Sequence, residues 1–316
     1  MIIPFHRPDI SFPSAKITNI IKTKMVVEGR YNRQLSEHFI KKYDVGYAIP
    51  CANCTSGLTI AIKALDLCKS DTILLPSFTW FSTLYAAECS SETILLGDIN
   101  KDSWLLDVDN EYQDWMKLII SVDIFGSKSK VISDIPVLYD AAHSYGVEGL
   151  GNRGGVAEVV SFSYTKVVNG MQGGIILTND KDMAEKCMDM VHKYAKLCEI
   201  NALLVLESIR HFNNDTRLKI IDIYRKAIRI PHVEQYIPEA TNYGTYSILF
   251  ETQEMRDKVA KSLERNNVGY KIYYEPLSKE LKNTNDVYSR ILTLPVYKQL
   301  LNGAIKIVIQ AINEVN

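Results

Sequence analysis

The main evidence for the fold is the segment Val137-Leu138-Tyr139-Asp140-Ala141-Ala142-His143-Ser144, in which a short apolar run ends on an acid. Similar runs recur along the first part of the chain, and helical segments separate them. They are continuously apolar rather than alternating, which is typical of strands buried on both faces of a mostly parallel sheet. Helices must then cover both faces, so the sequence predicts a large α/β/α domain. The runs are residues 72–75, 93–96, 118–122, 137–139, 159–162 and 175–177.

The pattern changes after about residue 240. Before that point, helices are predicted over residues 14–25 and 33–43, and further helices over 181–229. Beyond it, strands are predicted over 246–250 and 269–274, and helices over 254–266 and 301–314. The sequence therefore predicts a large domain over residues 1–235 and a small C-terminal α+β domain over 236–316.

Composition excludes several classes of function. The chain has 316 residues, is 47% hydrophobic and 23% charged, and carries a net charge of −1. This balance gives no electrostatic reason to expect nucleic acid or an anionic membrane as a partner. No apolar stretch approaches the roughly 20 residues that span a bilayer, and the first residues lack a signal-peptide pattern. We therefore expect a cytoplasmic protein.

The cysteines are predicted to be free thiols. Cys51 and Cys54 form a C-x-x-C pair, but a redox or zinc site would need a second pair or nearby histidines. Neither accompanies them, so no metal site is predicted. Free thiols suit a reducing compartment.

Small hydroxyl residues mark the start of a predicted helix. Thr55 and Ser56 precede Gly57-Leu58 and the helical run over residues 59–65. The N–H groups and dipole of such a helix start bind anions and suit a phosphate. The alternative is an ordinary helix cap.

Lys166 and Asp140 carry the chemistry that the sequence suggests. Lys166 follows the run that ends near Ser161, and Asp140 ends the run before it. A lysine amine forms a Schiff base with an aldehyde, and a carboxylate can hold a pyridine nitrogen protonated. The alternatives are a solvated surface lysine and an acid that caps a helix.

Other polar and aromatic residues follow predicted strands. Trp80 could stack on a flat ring, His143 could donate to a phenolate oxygen, and Ser161 could donate to a phosphate. Open α/β sheets place ligands at the carboxyl ends of their strands. The alternatives are a core tryptophan and a satisfied polar histidine.

In this order and spacing, the motifs resemble the sugar aminotransferases of the DegT/DnrJ/EryC1/StrS family. The resemblance implies fold type I, the architecture of a large group of enzymes that depend on pyridoxal 5′-phosphate (PLP). The matching segments are residues 3–8, 26–30, 54–58, 76–80, 98–99, 122–126, 140–143, 161–166, 274–277 and 292–297.

The resemblance also implies a role for each candidate residue. Lys166 would be the Schiff-base lysine and the acid/base, and Asp140 would hold the pyridine nitrogen. Trp80 would stack on the ring and His143 would lie by its hydroxyl. The phosphate would bind to Thr55, Ser56 and Ser161. The implied reaction moves an amino group from an amino acid, with glutamate as the first candidate, to a keto group of a nucleotide-linked sugar. The resemblance also implies that the enzyme is a homodimer.

Three positions depart from the family pattern. Tyr194 stands where the family has an asparagine that reaches the partner's phosphate, Lys196 replaces an arginine, and Ser278 replaces a histidine. Two other functions remain open on the sequence alone. One is a related enzyme with another acceptor, such as a keto-cyclitol, and the other is a non-catalytic relative.

Overall fold

The computed structural model describes residues 2–10, 12–91, 93–111, 113 and 115–315. The helices are α1 (Ser14–Thr23), α2 (Arg30–Tyr43), α3 (Cys54–Lys63), α4 (Phe81–Glu88), α5 (Val108–Glu111), α6 (Lys181–Tyr194), α7 (Glu199–Arg210), α8 (Asp215–Ala227), α9 (Gln253–Arg265), α10 (Lys282–Arg290) and α11 (Asn302–Asn313). The strands are β1 (Tyr47–Cys51), β2 (Thr72–Pro76), β3 (Thr93–Gly97), β4 (Leu118–Val122), β5 (Val137–Asp140), β6 (Ala157–Ser161), β7 (Gly174–Thr178), β8 (His232–Glu234), β9 (Tyr246–Phe250) and β10 (Ile291–Leu294).

A seven-stranded sheet forms the centre of the large domain, in the order β1-β7-β6-β5-β4-β2-β3. Strands β3, β2, β4, β5 and β6 are parallel neighbours, whereas β7 runs antiparallel to both β6 and β1. The predicted apolar runs therefore all form strands, and the prediction of a mostly parallel sheet is confirmed. The sequence analysis missed β1, where Pro50 interrupts the apolar pattern.

Each face of the sheet has its own hydrophobic core. One contains Leu58 and Ile60 of α3 and Met183 of α6. The other contains Leu35 and Phe39 of α2 together with residues of α1 and α7. Alternate strand residues supply the two cores, which explains why the runs are continuously apolar. The α/β/α prediction is confirmed.

The small sheet has the order β10-β9-β8, and both of its pairs are antiparallel. The prediction of a strand over residues 269–274 is wrong, because that segment forms only an isolated bridge between Lys271 and Thr293. Tyr273 and Tyr274 turn instead to the large domain, where Tyr274 stacks on Phe125 at a centroid distance of 5.7 Å. Tertiary packing of the rings thus replaces sheet pairing.

The boundary at residue 235 stays a prediction. Ile220, Ile221 and Tyr224 of α8 share one hydrophobic cluster with β9 and α11, and so does Ile3. This packing favours a small domain that begins near α8. Among the described residues, no helix is both long and apolar enough to cross a membrane.

Candidate active site

The predicted site residues lie at one edge of the large sheet. The parallel strands β5 and β6 end there with Asp140 and Ser161. The antiparallel strand β7 starts at the same edge, since Gly174 pairs with Ser161 and with Cys51. Helix α3 begins just after Cys51, so the fold brings α3 and both strand ends together.

Two glycines allow α3 to pack closely on the sheet. A Cβ on Gly174 would lie 2.8 Å from Asn53 C and Cys54 N, and one on Gly57 would lie 2.7 Å from Val159 Cγ1. Larger residues at either position would push the helix start away from the strand ends. The glycines therefore keep the positive end of the α3 dipole near Asp140 and Lys166.

Asp140 is 5% exposed, and both of its carboxylate oxygens have partners. Oδ2 accepts a hydrogen bond from the Thr83 hydroxyl at 2.7 Å, and Oδ1 accepts one from the Ala142 N–H at 3.1 Å. Burial raises the pKa of Asp140, while the Thr83 bond and the charge of Lys166 oppose that rise. Among the described residues the carboxylate forms no ion pair, so a cationic N–H from a ligand would complete its environment.

Lys166 follows β6 and is partly buried. Burial lowers the pKa of Lys166 to about 8, and the nearby Cys54 and Asp140 limit that shift. A substantial fraction of the amine is therefore neutral near physiological pH. A neutral lysine is both a nucleophile and a base.

His143 connects the strand end to the small domain. Its Nε2 lies 3.4 Å from the Tyr274 hydroxyl, and burial lowers the pKa of the imidazole well below its ordinary value. The ring is therefore neutral and can exchange a single proton with a ligand oxygen. Trp80 packs edge-on against Tyr274 at 6.1 Å.

Trp80 is 60% exposed, so it is not a core tryptophan in the single chain. It directly precedes α4 and presents an aromatic surface beside Tyr274. This position agrees with a stacking role, which stays a prediction.

The residues predicted to bind phosphate differ in their availability. Ser56 forms a capping box, because its hydroxyl donates to Asn53 O at 2.8 Å and accepts from Asn53 N. Its hydroxyl would have to leave Asn53 to reach a phosphate. The Thr55 hydroxyl has no hydrogen-bond partner among the described residues, and Ser161 accepts only a 3.3 Å bond from Ser163 N. Thr55 and Ser161 are therefore the better candidates.

Two residues near Asp140 escaped the sequence analysis. Thr83 is fully buried and links Asp140 to the Thr79 hydroxyl at 3.1 Å. Cys54 Sγ lies 3.9 Å from Asp140 Oδ1, and burial raises the pKa of this thiol well above its ordinary value. The i,i+4 spacing from Thr79 was the only available signal for Thr83.

The small domain contacts the site through the segment after Tyr274. Leu277 N donates to Ser77 O at 3.2 Å, and Ser278 N donates to Ser77 Oγ at 2.9 Å. Ser77 follows β2, so this contact lies at the same edge of the sheet. Ser278, which stands in place of the family's histidine, is thereby held at the border of the site.

Tyr194 and Lys196 are the other two departures from the family pattern. Glu199 holds the segment that follows them in place. This buried carboxylate accepts hydrogen bonds from the N–H groups of Gly29, Tyr31 and Asn32 at the start of α2. Lys196 pairs with Glu28 at 3.0 Å. Tyr194 remains 57% exposed.

A buried acid, a lysine of lowered pKa and a helix start at one sheet edge define a site for a phosphate-bearing aldehyde cofactor. The chain matches the DegT/DnrJ/EryC1/StrS aminotransferase family over residues 11–313, and it belongs to that family. Pyridoxal phosphate is the cofactor of the family, and the residues fit it. The unpaired Asp140 suits the pyridine nitrogen, and the helix start suits the phosphate.

Curated relatives match almost the whole chain. GDP-perosamine synthase of Escherichia coli O157:H7 is 23% identical, with 99% of this chain and 98% of that protein covered. The dTDP-4-amino-4,6-dideoxy-D-glucose transaminase of Shigella dysenteriae is 24% identical, with 91% and 90% covered.

Solved structures share the fold over the same extent. Helicobacter pylori PseC, an aminotransferase involved in the biosynthesis of pseudoaminic acid, has a TM-score of 0.89 at 18% identity, with 100% of this chain and 99% of that chain covered. Bacillus subtilis NtdA, solved with the bound cofactor PMP, has a TM-score of 0.88 at 20% identity, with 99% and 85% covered. The fold type I prediction is confirmed.

Proposed function

We propose that this protein transfers an amino group from an amino acid, with glutamate as the first candidate, to a keto group of a nucleotide-linked sugar. The observation that carries the proposal is the position of Lys166, whose pKa is lowered to about 8, near the buried Asp140 and the start of α3. This arrangement supplies an amine, a counter-charge and an anion site at one edge of the sheet.

Pyridoxal phosphate, when bound, supplies an electron sink and an aldehyde that carries the amino group. Asp140 would accept the hydrogen bond of the pyridine N–H, and its buried setting would strengthen that bond. Thr55 and Ser161 would donate to the phosphate beside the N–H groups of α3. Trp80 would cover one face of the ring.

Lys166 would hold the cofactor, and its Nζ would then accept and return a proton during the transfer. The lowered pKa leaves the amine able to accept a proton at neutral pH, and the neighbouring Asp140 favours its return to the charged form. His143 is neutral and would donate to the ring hydroxyl oxygen. Tyr274 is within 3.4 Å of His143 and would fix the orientation of the imidazole.

The names of the relatives support the choice of substrate. Two curated relatives that cover at least 90% of this chain are named for amino sugars carried on GDP or dTDP. The departures at Tyr194 and Ser278 distinguish this chain at positions expected to handle the cofactor phosphate and the substrate. We further propose a cytoplasmic homodimer, in which the exposed Tyr194 faces the partner's site.

The test follows the visible absorbance of the purified protein with added pyridoxal phosphate, before and after glutamate. Addition of a keto-sugar nucleotide is then followed by mass spectrometry. We expect a lysine-bound visible band that glutamate removes, and an aminated sugar product. A band that ignores glutamate would point to another donor.

Two other results would replace the proposal. A band that responds to glutamate without any sugar product would favour another acceptor, such as a keto-cyclitol. Failure to form a band would favour the non-catalytic alternative.

A further inference from the structure

Arg217 is a buried cation that has no partner among the residues that the structure describes. It lies in the first turn of α8 and is 8% exposed. Among the described residues, no hydrogen bond or ion pair is made by its guanidinium. Burial lowers the pKa of Arg217, and the negative charge of Asp9 only partly opposes this. An uncompensated buried charge is costly, so such groups are normally paired.

Two other arginines with buried side chains are paired with acids in the described part of the chain, which makes Arg217 unusual. Arg153 contacts Asp123 at 2.7 Å and Glu158 at 2.5 Å, and Arg256 contacts Asp257 at 2.5 Å. Asp9, the acid near Arg217, forms its ion pair with Lys298 at 2.9 Å instead.

The same turn contains a second unsatisfied atom. Oδ1 of Asn214, directly before α8, is buried and accepts no hydrogen bond within the described part of the chain. An unsatisfied acceptor beside an unsatisfied donor is the pattern expected where a polar ligand binds.

One electrostatic effect and one chain of hydrogen bonds place this turn near the active site. On one side, the His6 ring bonds to Tyr164 O at 2.9 Å, two residues before Lys166, and the charges of Arg217 and Lys166 both lower the pKa of His6. On the other, Asn214 donates to Asn242 O, and the Asn242 side chain donates to the backbone carbonyl of His143.

A close contact at Gly244 also places the start of α8 near the loop that carries Lys166. A Cβ on Gly244 would lie 2.7 Å from Val167 Cγ1 and 3.1 Å from Asn242 Oδ1. The segment from 242 to 244 therefore lies between the start of α8 and the loop that carries Lys166.

We propose that Arg217 binds a carboxylate of the amino-acid donor. This inference rests on the proposed aminotransferase function and names a recognition residue for its first substrate. The guanidinium fork matches a carboxylate through two parallel hydrogen bonds. A donor carboxylate would also neutralise the one unpaired buried cation of this turn.

The sugar nucleotide fits this position less well. A diphosphate carries more charge than one guanidinium can balance. The nucleotide is also bulky, whereas Arg217 is 8% exposed. A small carboxylate is the ligand that the charge and the burial favour.

The experiment measures the two half-reactions of the holoenzyme separately for wild type, Arg217→Met and Arg217→Lys. The loss of the visible band with increasing glutamate gives the first, and the return of the band with a keto-sugar nucleotide gives the second. We expect Arg217→Met to lower kcat/KM for glutamate by about 10- to 100-fold, since bonds to charged groups are the stronger ones. The sugar half-reaction should change by less than about threefold, because it does not use this contact.

Comparison of donors identifies the carboxylate involved. Alanine has only the α-carboxylate, whereas glutamate has a second one on its side chain. If Arg217 binds the α-carboxylate, Arg217→Met weakens both donors equally. If it binds the side-chain carboxylate, the preference for glutamate over alanine is lost and alanine is unaffected.

Thermal unfolding separates recognition from a structural role. Methionine in place of an unpaired buried cation should leave the melting temperature of the unliganded protein unchanged or higher. Lys219→Met, at an exposed position two residues further along α8, is the matched control and should change neither half-reaction.

Several results would overturn the proposal. These are unchanged glutamate kinetics in Arg217→Met, an equal loss in both half-reactions, or a lower melting temperature with normal donor kinetics. If Arg217→Met does not fold, Arg217→Lys and competition by glutarate against glutamate in wild type decide the question. A wild type that never reacts with any amino donor contradicts the aminotransferase function itself.

Discussion

Two buried acids on neighbouring strands have very different surroundings. Asp123 follows β4 and contacts Arg153 at 2.7 Å, and it accepts hydrogen bonds from the Ser129 and Ser144 hydroxyls. Asp140 ends β5 and accepts hydrogen bonds from a threonine hydroxyl and one backbone N–H. No cation among the described residues is in contact with its carboxylate. The backbones of the two acids are linked by a 3.0 Å hydrogen bond from Asp123 N to Asp140 O.

Charges that stabilise the fold differ from charges that do chemistry in whether a partner within the protein balances them. Arg153 is fixed between Asp123 and Glu158 and lies 4.0 Å from the centre of the Tyr139 ring. Its charge is balanced within the protein, and the acids raise the pKa of the guanidinium although burial opposes them. Asp140 and Lys166 are both shifted by burial toward their neutral forms. Such a pair remains available for a ligand.

Replacement of Lys166 would have the largest effect on the chemistry of the site formed by Asp140 and Lys166. Lys166→Ala should abolish the lysine-bound visible band and lower turnover on the order of 10⁴-fold or more, because the nucleophile and the base are lost together. Absorbance and amine transfer to a keto-sugar nucleotide measure this. Lys181→Ala, at an exposed position on α6, is the control. Unchanged turnover in Lys166→Ala would remove the central claim.

Asp140→Asn tests the counter-charge without a change in shape. We expect the variant to bind cofactor but to lose roughly 100-fold in turnover, since an amide cannot stabilise the protonated ring nitrogen. Cofactor titration and steady-state kinetics measure the two effects. Wild-type rates would exclude Asp140 from the mechanism.

Arg153→Met tests the contribution of the balanced charges around Asp123 to stability. It leaves Asp123 and Glu158 buried without their cation, so the free energy of unfolding should fall by about 3–5 kcal/mol. Denaturant unfolding measures the change, and the folded fraction should retain its turnover. Arg225→Met, which breaks a more exposed pair with Glu234, should cost below about 1 kcal/mol. Equal losses in both variants would contradict the distinction.

The lowered pKa of Lys166 gives a pH dependence with a defined sign. The rate at which the cofactor-free protein captures pyridoxal phosphate should rise as pH increases through about 8, because the neutral amine is the reactive form. In the same protein, the penalty of burying the charged amine is fully present below pH 8. It disappears as pH rises toward 10.5, where the unfolded chain also loses its proton. A flat capture rate between pH 7 and pH 9 would contradict this.

Thr83 should have the smallest effect. Thr83→Val removes the hydroxyl that orients Asp140, and we expect about a tenfold loss of kcat with a shift in the pH titration of the bound cofactor's absorbance. Thr83→Ser keeps the hydroxyl and should restore both. A loss that Thr83→Ser fails to restore, with no spectral shift, would indicate packing rather than orientation.

The fold was largely predictable because parallel strands buried on both faces leave continuous apolar runs. The strand β1 was missed because Pro50 breaks its apolar pattern, and the segment 269–274 was misassigned because its alternation resembles a strand. The rings of Tyr273 and Tyr274 in fact pack against Phe125 of the large domain.

The amino-acid sequence was enough to predict the order of the strands along the chain, the family and the residues at the strand ends. The chemistry of Lys166 and Asp140 was also predictable from residue type and position. Which charges are balanced could be read only from the folded chain, because pairing depends on residues distant in sequence. Arg153 forms an ion pair with Asp123 across 30 positions, whereas Arg217 forms no ion pair with any described acid.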